Sequence, residues 1–494
     1  MMKTLFKIFV LPLMLVTMAV SCESWLDVTS SSQLQADKLF ETRSGFHEAL
    51  TGIYMNMGEE ATYGGYYTWS VNNYTAYPYN IVDGVALIKD FQQHNYTTSR
   101  VKSVIKTMWK GGYNTIANIN IILRELEARR NVISSTVEYN LIKGELLALR
   151  AYIHFDMMRM WGVNKWDGEN ASKLTIPYST TYSPDVVAQK SYAETEQLLL
   201  DDIKEAIKCL KESDPIVAEM EPSFESALNA DGYWTNRTKH LNYYAALGLA
   251  AKIYQWKNDY ATAAIYASEV LEGAFASGLV AYVDADAMVK QTSHDLIDWN
   301  FTSEHVFSLE VTNLYSTLRS LMFSNERTAI YTDESLLNQI FSSTGASLSG
   351  IEDIRGTALQ MKFTNFGYSS YKYYGSTSYS SEYRNRIPMM RISEMHYIMA
   401  ESYIADGNNE AALAELDKVR MHRGITDALA SEVDAASELL LEYHREFIGE
   451  DKLFYYLKHK NVENSISSTF DVTASQLIYP YPDDEINYGR KQDL

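Results

Sequence analysis

The stretch from Leu141 to Gly162, LIKGELLALRAYIHFDMMRMWG, constrains the chain more than any other. Ser135 stands three residues before Glu138, the spacing of a capping box, so a helix starts just upstream, and Gly162 supplies a stop. Its apolar residues fall on two stripes at helical spacing, one through Ile142, Leu146, Leu149, Ile153, Met157 and Met160, the other through Leu147, Ala151, Phe155 and Met158. A helix that is apolar on two sides is packed on two sides, which places it inside a helical stack. Its charged residues, Lys143, Glu145, Arg150, Asp156 and Arg159, must then reach solvent, a helix end or one another, because an unpaired buried charge is too costly.

The remaining helical segments fit such a stack. Phe40 to Tyr54 and Ser103 to Ala128 carry apolar stripes, Tyr192 to Leu210 is amphipathic, and His240 to Trp256 is rich in small residues that allow close helix contact. Ser103 to Ala128 and the Leu141 helix are expected to form one antiparallel hairpin. The segment from Asp259 to Val270 aligns with Asn408 to Val419, each following a helix that ends in an Asn or Gly turn, and both read as the second helix of a tetratricopeptide-like unit. Between the two halves, residues 274–388 lose the helical pattern: His305 to Val311 reads as a strand, and Leu359 to Tyr374 is rich in Phe, Tyr and Ser. The fold class is therefore mainly α: stacked tetratricopeptide-like hairpins interrupted by a long, irregular insertion with short strands.

At the N-terminus, Lys3 and Lys7 precede an apolar run too short to span a bilayer, followed by Ser21-Cys22. Residues 1–21 read as a signal peptide, with Cys22 as the lipidated first residue of a Ser-rich tether over 22–39. One other cysteine exists, Cys209, so no disulfide framework is available and stability has to come from the core of a 494-residue chain. The formal net charge of −20 repels nucleic acid and anionic lipid head groups, so attachment to a membrane would have to be covalent.

Several motifs, in order, resemble the SusD/RagB family of outer-membrane nutrient-binding lipoproteins. Lys143-Gly144-Glu145, Leu149-Arg150-Ala151-Tyr152, Phe155-Asp156 and Arg159 to Gly162 resemble its KGE…LRA…YFD…R..WG signature. Ala49 to Tyr54, the Trp109, Tyr113 and Ile116 pattern, Ile387 to Glu394, Arg445 to Glu450 with Phe454 to Lys458, and Tyr479 to Ile486 agree with it over most of the chain. The resemblance implies a scaffold over 40–273, a ligand-binding insertion over 274–388 and a last repeat over 389–494. It also implies a cell-surface lipoprotein that captures an oligosaccharide or polysaccharide and passes it to a SusC-like TonB-dependent transporter in the outer membrane. The same scaffold with a peptide or other non-glycan ligand, an exported helical glycosidase, and a protein-binding adaptor are the alternatives.

No catalytic spacing is present: there is no HExxH, no CxxC and no phosphate loop, and Gly345 to Gly350 misses GxSxG by one position. The reading is of a non-enzyme with no cofactor, no metal and no nucleic-acid partner, and His154 reads as a structural histidine. Tyrosine is the compositional outlier, with 37 residues, many among Gly, Asn, Thr and Ser within the aromatic-rich loop 61–103 and in the insertion. Flat rings beside short polar side chains suit a sugar, whose C–H faces stack on rings while its hydroxyls need polar partners; the same chemistry serves peptides. On that criterion Tyr66, Tyr67, Trp69, Asn72, Asn73, Tyr74 and Trp299 are the expected ligand contacts.

Overall fold

Ser135 caps the central helix as its spacing predicts, its hydroxyl accepting from the Glu138 amide at 3.3 Å, and the helix runs Thr136–Trp161. The computed structural model describes residues 38–82, 85–217, 223–293, 296–318, 330–341, 353–356, 360–373, 383–461 and 472–489. Residues 1–37, Cys22 among them, the Gly345 to Gly350 segment and Tyr374 lie outside the described residues. Among the described residues ten helices have nine residues or more: α1 (Arg43–Met57), α2 (Ser99–Ala128), α3 (Thr136–Trp161), α4 (Tyr192–Lys211), α5 (Tyr243–Trp256), α6 (Tyr260–Ala276), α7 (Ile392–Ala405), α8 (Asn409–Met421), α9 (Ala435–Glu446) and α10 (Lys452–Lys460). No described helix is long and apolar enough to cross a membrane.

The stack follows chain order. α1 packs on α2, α2 on α3, α3 most extensively on α4, and α5 pairs with α6 and α7 with α8 as antiparallel hairpins. Close crossings use small residues: a Cβ at Gly144 would stand 2.7 Å from Leu210, and one at Gly273 would stand 2.2 Å from the Tyr244 ring. Gly162 ends α3 in extended backbone, so it is there for space: a Cβ would lie 2.5 Å from the Met158 carbonyl oxygen and 2.8 Å from the Tyr192 hydroxyl. The two aligned segments are equivalent second helices. α6 is capped by Asp259, which accepts from the Thr262 amide, and α8 by Asn408, which accepts from the Ala411 amide, each at 3.1 Å. A left-handed residue precedes each cap, Asn258 at φ 61° and Gly407 at φ 72°.

Almost the whole of α3 is buried, and each of its charged residues has a partner. Arg150 forms a bidentate pair with Asp202 at 2.8 and 2.6 Å, Asp156 pairs with Arg159 and accepts from the Tyr63 hydroxyl, and Lys143 reaches Glu205 at the edge. Glu145 takes Arg237, His240 and Tyr54. Burial would raise its pKa, but His240 and Arg237 hold it down to about 2.

Eight short strands are described: β1 (Asn80–Ile81), β2 (Leu174–Pro177), β3 (Gln189–Ser191), β4 (His305–Glu310), β5 (Ile330–Tyr331), β6 (Met361–Phe363), β7 (Tyr368–Ser370) and β8 (Arg386–Arg391). The insertion leaves the stack after α6 and returns at α7, which packs directly on α6. Its two ends meet where β4 pairs antiparallel with β8, from Glu310 opposite Arg386 to His305 opposite Arg391, with register shifts around Phe307 and Pro388 in the irregular part. β4 is buried on both faces except at Glu310.

Buried ions fasten the insertion to α9. Arg423 forms bidentate pairs with both Glu304 (2.7 and 2.6 Å) and Glu446 (3.0 and 2.7 Å), while Arg355 bonds Asp353, Glu442 and Glu446. Arg391 joins Glu446 to Glu450, Lys372 bonds Glu450 and the Glu446 carbonyl, and Arg445 bonds Glu438, Glu442 and the Ile340 carbonyl. Burial opposes ionisation of Glu446, but Arg423, Arg391 and Arg355 hold its carboxyl well below the usual range.

Three histidines are buried and held neutral, chiefly by burial: His154 is pushed down to about 3, His459 to about 4, and His305 well below its ordinary value. In His154, Nδ1 faces the Arg150 carbonyl at 2.9 Å and Nε2 accepts from the Ser179 amide at 3.1 Å, so the proton sits on Nδ1. Its role is structural. Because these groups bind protons more readily when unfolded, their contribution is complete above about pH 6.5 and is lost as pH falls through about 4 for His459 and about 3 for His154. The melting temperature is expected to drop between pH 7 and pH 5, before Glu145 and Glu442, each held to about 2, titrate. His154→Asn, measured by calorimetry over the same range, should flatten that slope.

Candidate functional site

The aromatic-rich segment after α1 is a compact series of turns and short helices, not an open loop. Gly64 lies so close to the first turn that a Cβ there would stand 1.8 Å from the Gly58 carbonyl oxygen. The rings that follow face inward. The Tyr67 hydroxyl donates to the Met108 carbonyl at 2.8 Å, and Trp69 Nε1 donates to the Gly64 carbonyl at 2.9 Å. Asn72 donates to the Tyr67 carbonyl at 2.9 Å and accepts from the Tyr479 hydroxyl at 2.8 Å, while Asn73 bonds the Trp69 carbonyl and Tyr79.

The expected ligand platform is thereby corrected. Tyr67, Trp69, Asn72, Asn73 and Tyr74 are all 5 % exposed or less, and Trp299 sits in a small separate core with Val283, Met288, Ile297, Phe301 and Ile354. Of the seven residues only Tyr66 is half-buried. The physical reason is that Gly, Asn, Thr and Ser serve here to make tight turns and to satisfy buried backbone, with the helix Val71–Ala76 packed on α10.

What this segment supports is the place where it meets the insertion. β1 pairs antiparallel with β5, Asn80 opposite Tyr331, and an Asn80 to Asp333 side-chain bond of 3.0 Å lies beside the pair. Thr332 bridges to Tyr368 through amide-to-carbonyl bonds of 2.7 and 2.9 Å, which carries the pairing into the β6–β7 hairpin. The hairpin turn is built on the Thr364 hydroxyl, which accepts from the amides of Phe366 and Gly367. Gly367 has φ 157°, and a Cβ there would stand 2.4 Å from the Tyr331 ring. Phe366 at the tip is 43 % exposed, with its ring centre 6.3 Å from that of Tyr331. The result is a small face of two rings flanked by an amide and a carboxylate, assembled from both compositionally unusual regions.

Sequence reasoning missed Asn80, Tyr331, Asp333 and Phe366. The available signal was the Thr364-Asn365-Phe366-Gly367 turn between two short alternating runs, which places an aromatic ring at a hairpin tip. Two further clefts, of 490 and 710 Å³, flank the C-terminal helix Asp483–Tyr488 where it lies on α2. Among the described residues no group of three or more His, Cys, Asp or Glu is placed to hold a metal ion.

Architecture and site together define a helical-repeat scaffold that carries an inserted, ring-bearing face. A SusD-like family model, described as "Starch-binding associating with outer membrane", matches residues 24–228, and the SusD family model matches residues 325–488. The chain belongs to the SusD/RagB family. Its fold is similar to that of a SusD superfamily protein from Bacteroides thetaiotaomicron VPI-5482, at 20% identity over 91% of this chain and 98% of the other, with a TM-score of 0.70. It is also similar to a SusD superfamily protein from Bacteroides vulgatus ATCC 8482, at 16% identity over 91% and 100% of the two chains with a TM-score of 0.69. A SusD-like carbohydrate binding protein from the same organism matches at 12% identity over 91% and 98%, with a TM-score of 0.66. No curated protein matches the chain.

Proposed function

We propose that the protein is a cell-surface lipoprotein that captures a glycan on the Tyr331–Phe366 face and delivers it, chemically unchanged, to a SusC-like TonB-dependent transporter. The observation that carries the proposal is a pair of partly exposed rings beside the Asn80 amide and the Asp333 carboxylate, held by β pairing on a member of this family. Rings receive the apolar face of a pyranose while the short polar groups bond its hydroxyls. Support for the glycan comes also from the carbohydrate-binding description of one similar structure and the starch-binding description of one family model. Cys22 is the proposed attachment point, and mass spectrometry of the mature N-terminus tests it.

Calorimetric titration with maltohexaose, cellohexaose, xylohexaose, mannohexaose and a peptide pool separates glycan from peptide. Tyr331→Ala combined with Phe366→Ala is expected to weaken sugar binding about ten-fold or more, the loss of about 1.4 kcal/mol. Saturation by the peptide pool alone, or unchanged sugar affinity in the double variant, would refute the assignment. Co-purification of a barrel from outer membranes tests delivery.

A further inference from the structure

We propose that the 490 Å³ cleft between α2, the β2–β3 loop and the C-terminal helix is a second binding site for a short, uncharged oligosaccharide. The inference rests on the glycan reading above but uses no residue of the Tyr331–Phe366 face. Tyr182 and Tyr488, 49 % and 77 % exposed, are the most exposed tyrosines among the described residues, and both line this one cleft. One comes from the β2–β3 loop and the other from the C-terminal helix, so the two rings stand on different walls. An exposed ring gains nothing from solvent, and two of them at the mouth of one concavity mark a surface suited to stacking.

The walls are preformed. Tyr113, in the floor, donates to the Pro177 carbonyl at 2.7 Å, and the loop is fixed from behind by Asn120 to the Ser179 carbonyl and Arg150 to the Thr180 carbonyl, each at 3.1 Å. The C-terminal helix is held by Lys106 to Asp484 at 2.7 Å and by Gln189 to Glu485 at 2.8 Å. Little conformational freedom is therefore lost when a ligand enters. The volume falls within the range of about 300 to 1,000 Å³ typical of small-molecule sites, which suits a few sugar rings.

The lining selects the class of ligand. Its charged members are two lysines, Lys106 and Lys110, and two carboxylates, Asp484 and Glu485, so formal charge cancels and a charged sugar has no net attraction. Asn114, Ser179, Thr181 and Ser183 add amide and hydroxyl groups to walls that are otherwise largely apolar, with Trp109 and Val187 among them. Polar groups beside flat rings suit the hydroxyl edges and C–H faces of a neutral sugar.

The test is calorimetry of the mature protein with the same four neutral hexasaccharides, followed by diffraction from crystals soaked with the best binder. Two sites per chain are expected for at least one sugar, and sugar density in the cleft. Tyr182→Ala with Tyr488→Ala should remove one site while leaving the melting temperature unchanged, and Tyr182→Phe with Tyr488→Phe should retain it within about three-fold. A single site that is lost in the Tyr331 and Phe366 double alanine variant, and is indifferent to Tyr182 and Tyr488, overturns the cleft and leaves the glycan reading intact. Binding of none of the four overturns both. Occupation of the cleft by the peptide pool instead of a sugar also overturns it.

Discussion

Glu446→Gln is expected to destabilise the protein by about 3 to 5 kcal/mol, the usual cost of removing one partner from a buried ion pair. Glu446 is 1 % exposed, and its carboxylate accepts from Arg423, Arg391 and Arg355, each of which lies out of water. Neutralising it leaves three guanidinium groups sharing the remaining carboxylates, and none can lose its proton to relieve the imbalance. A chemical-denaturation curve should show a lower midpoint and an early phase in which the insertion detaches, because Glu304, Asp353, Arg355 and Lys372 reach α9 through this network. Asp286→Asn is the control. It breaks an exposed pair with Lys290 and should change stability by less than about 1 kcal/mol. A Glu446→Gln variant as stable as the parent would show that the buried ions are redundant.

Trp69→Ala is expected to lower stability by about 3 to 5 kcal/mol, as large-to-small substitution in a core does. The ring is 3 % exposed, and its loss also strands the Gly64 carbonyl that accepts from Nε1. Sugar affinity of the folded fraction should remain within about three-fold of the parent, since Trp69 supports the segment from behind. Thermal melting and titration on the same sample check both halves. Abolished binding with an unchanged melting temperature would return Trp69 to the ligand surface.

The scaffold was legible in the sequence because its determinants are local. The Ser135 cap, the double stripe of α3 and the paired Asp259 and Asn408 caps each lie within one or two turns of the residues they organise. The strand over His305 to Glu310 was legible for the same reason. The candidate site was not, because its defining contacts are distant: Asn80 meets Tyr331 and Asp333 across a long stretch of chain. Local composition also reads the same whether an asparagine closes an inner turn, as Asn72 and Asn73 do, or faces a ligand. The rings actually at the surface, Tyr331, Phe366, Tyr182 and Tyr488, were not distinguishable from the buried ones by their neighbours alone.

Because β4 and β8 run side by side at the root of the insertion, the chain departs from and rejoins the stack at nearly one point. Whatever lies beyond that root can grow, shrink or be exchanged while α6 and α7 keep their mutual contact, since lengthening an already closed excursion costs only about 0.6 kcal/mol per doubling. Evolution is thus given a fixed chassis with a swappable head, constrained to keep the acidic and basic groups that latch onto α9 and the strand that pairs with β1. Grafting residues 311–385 from one such protein onto another becomes a practical route to moving ligand preference between them.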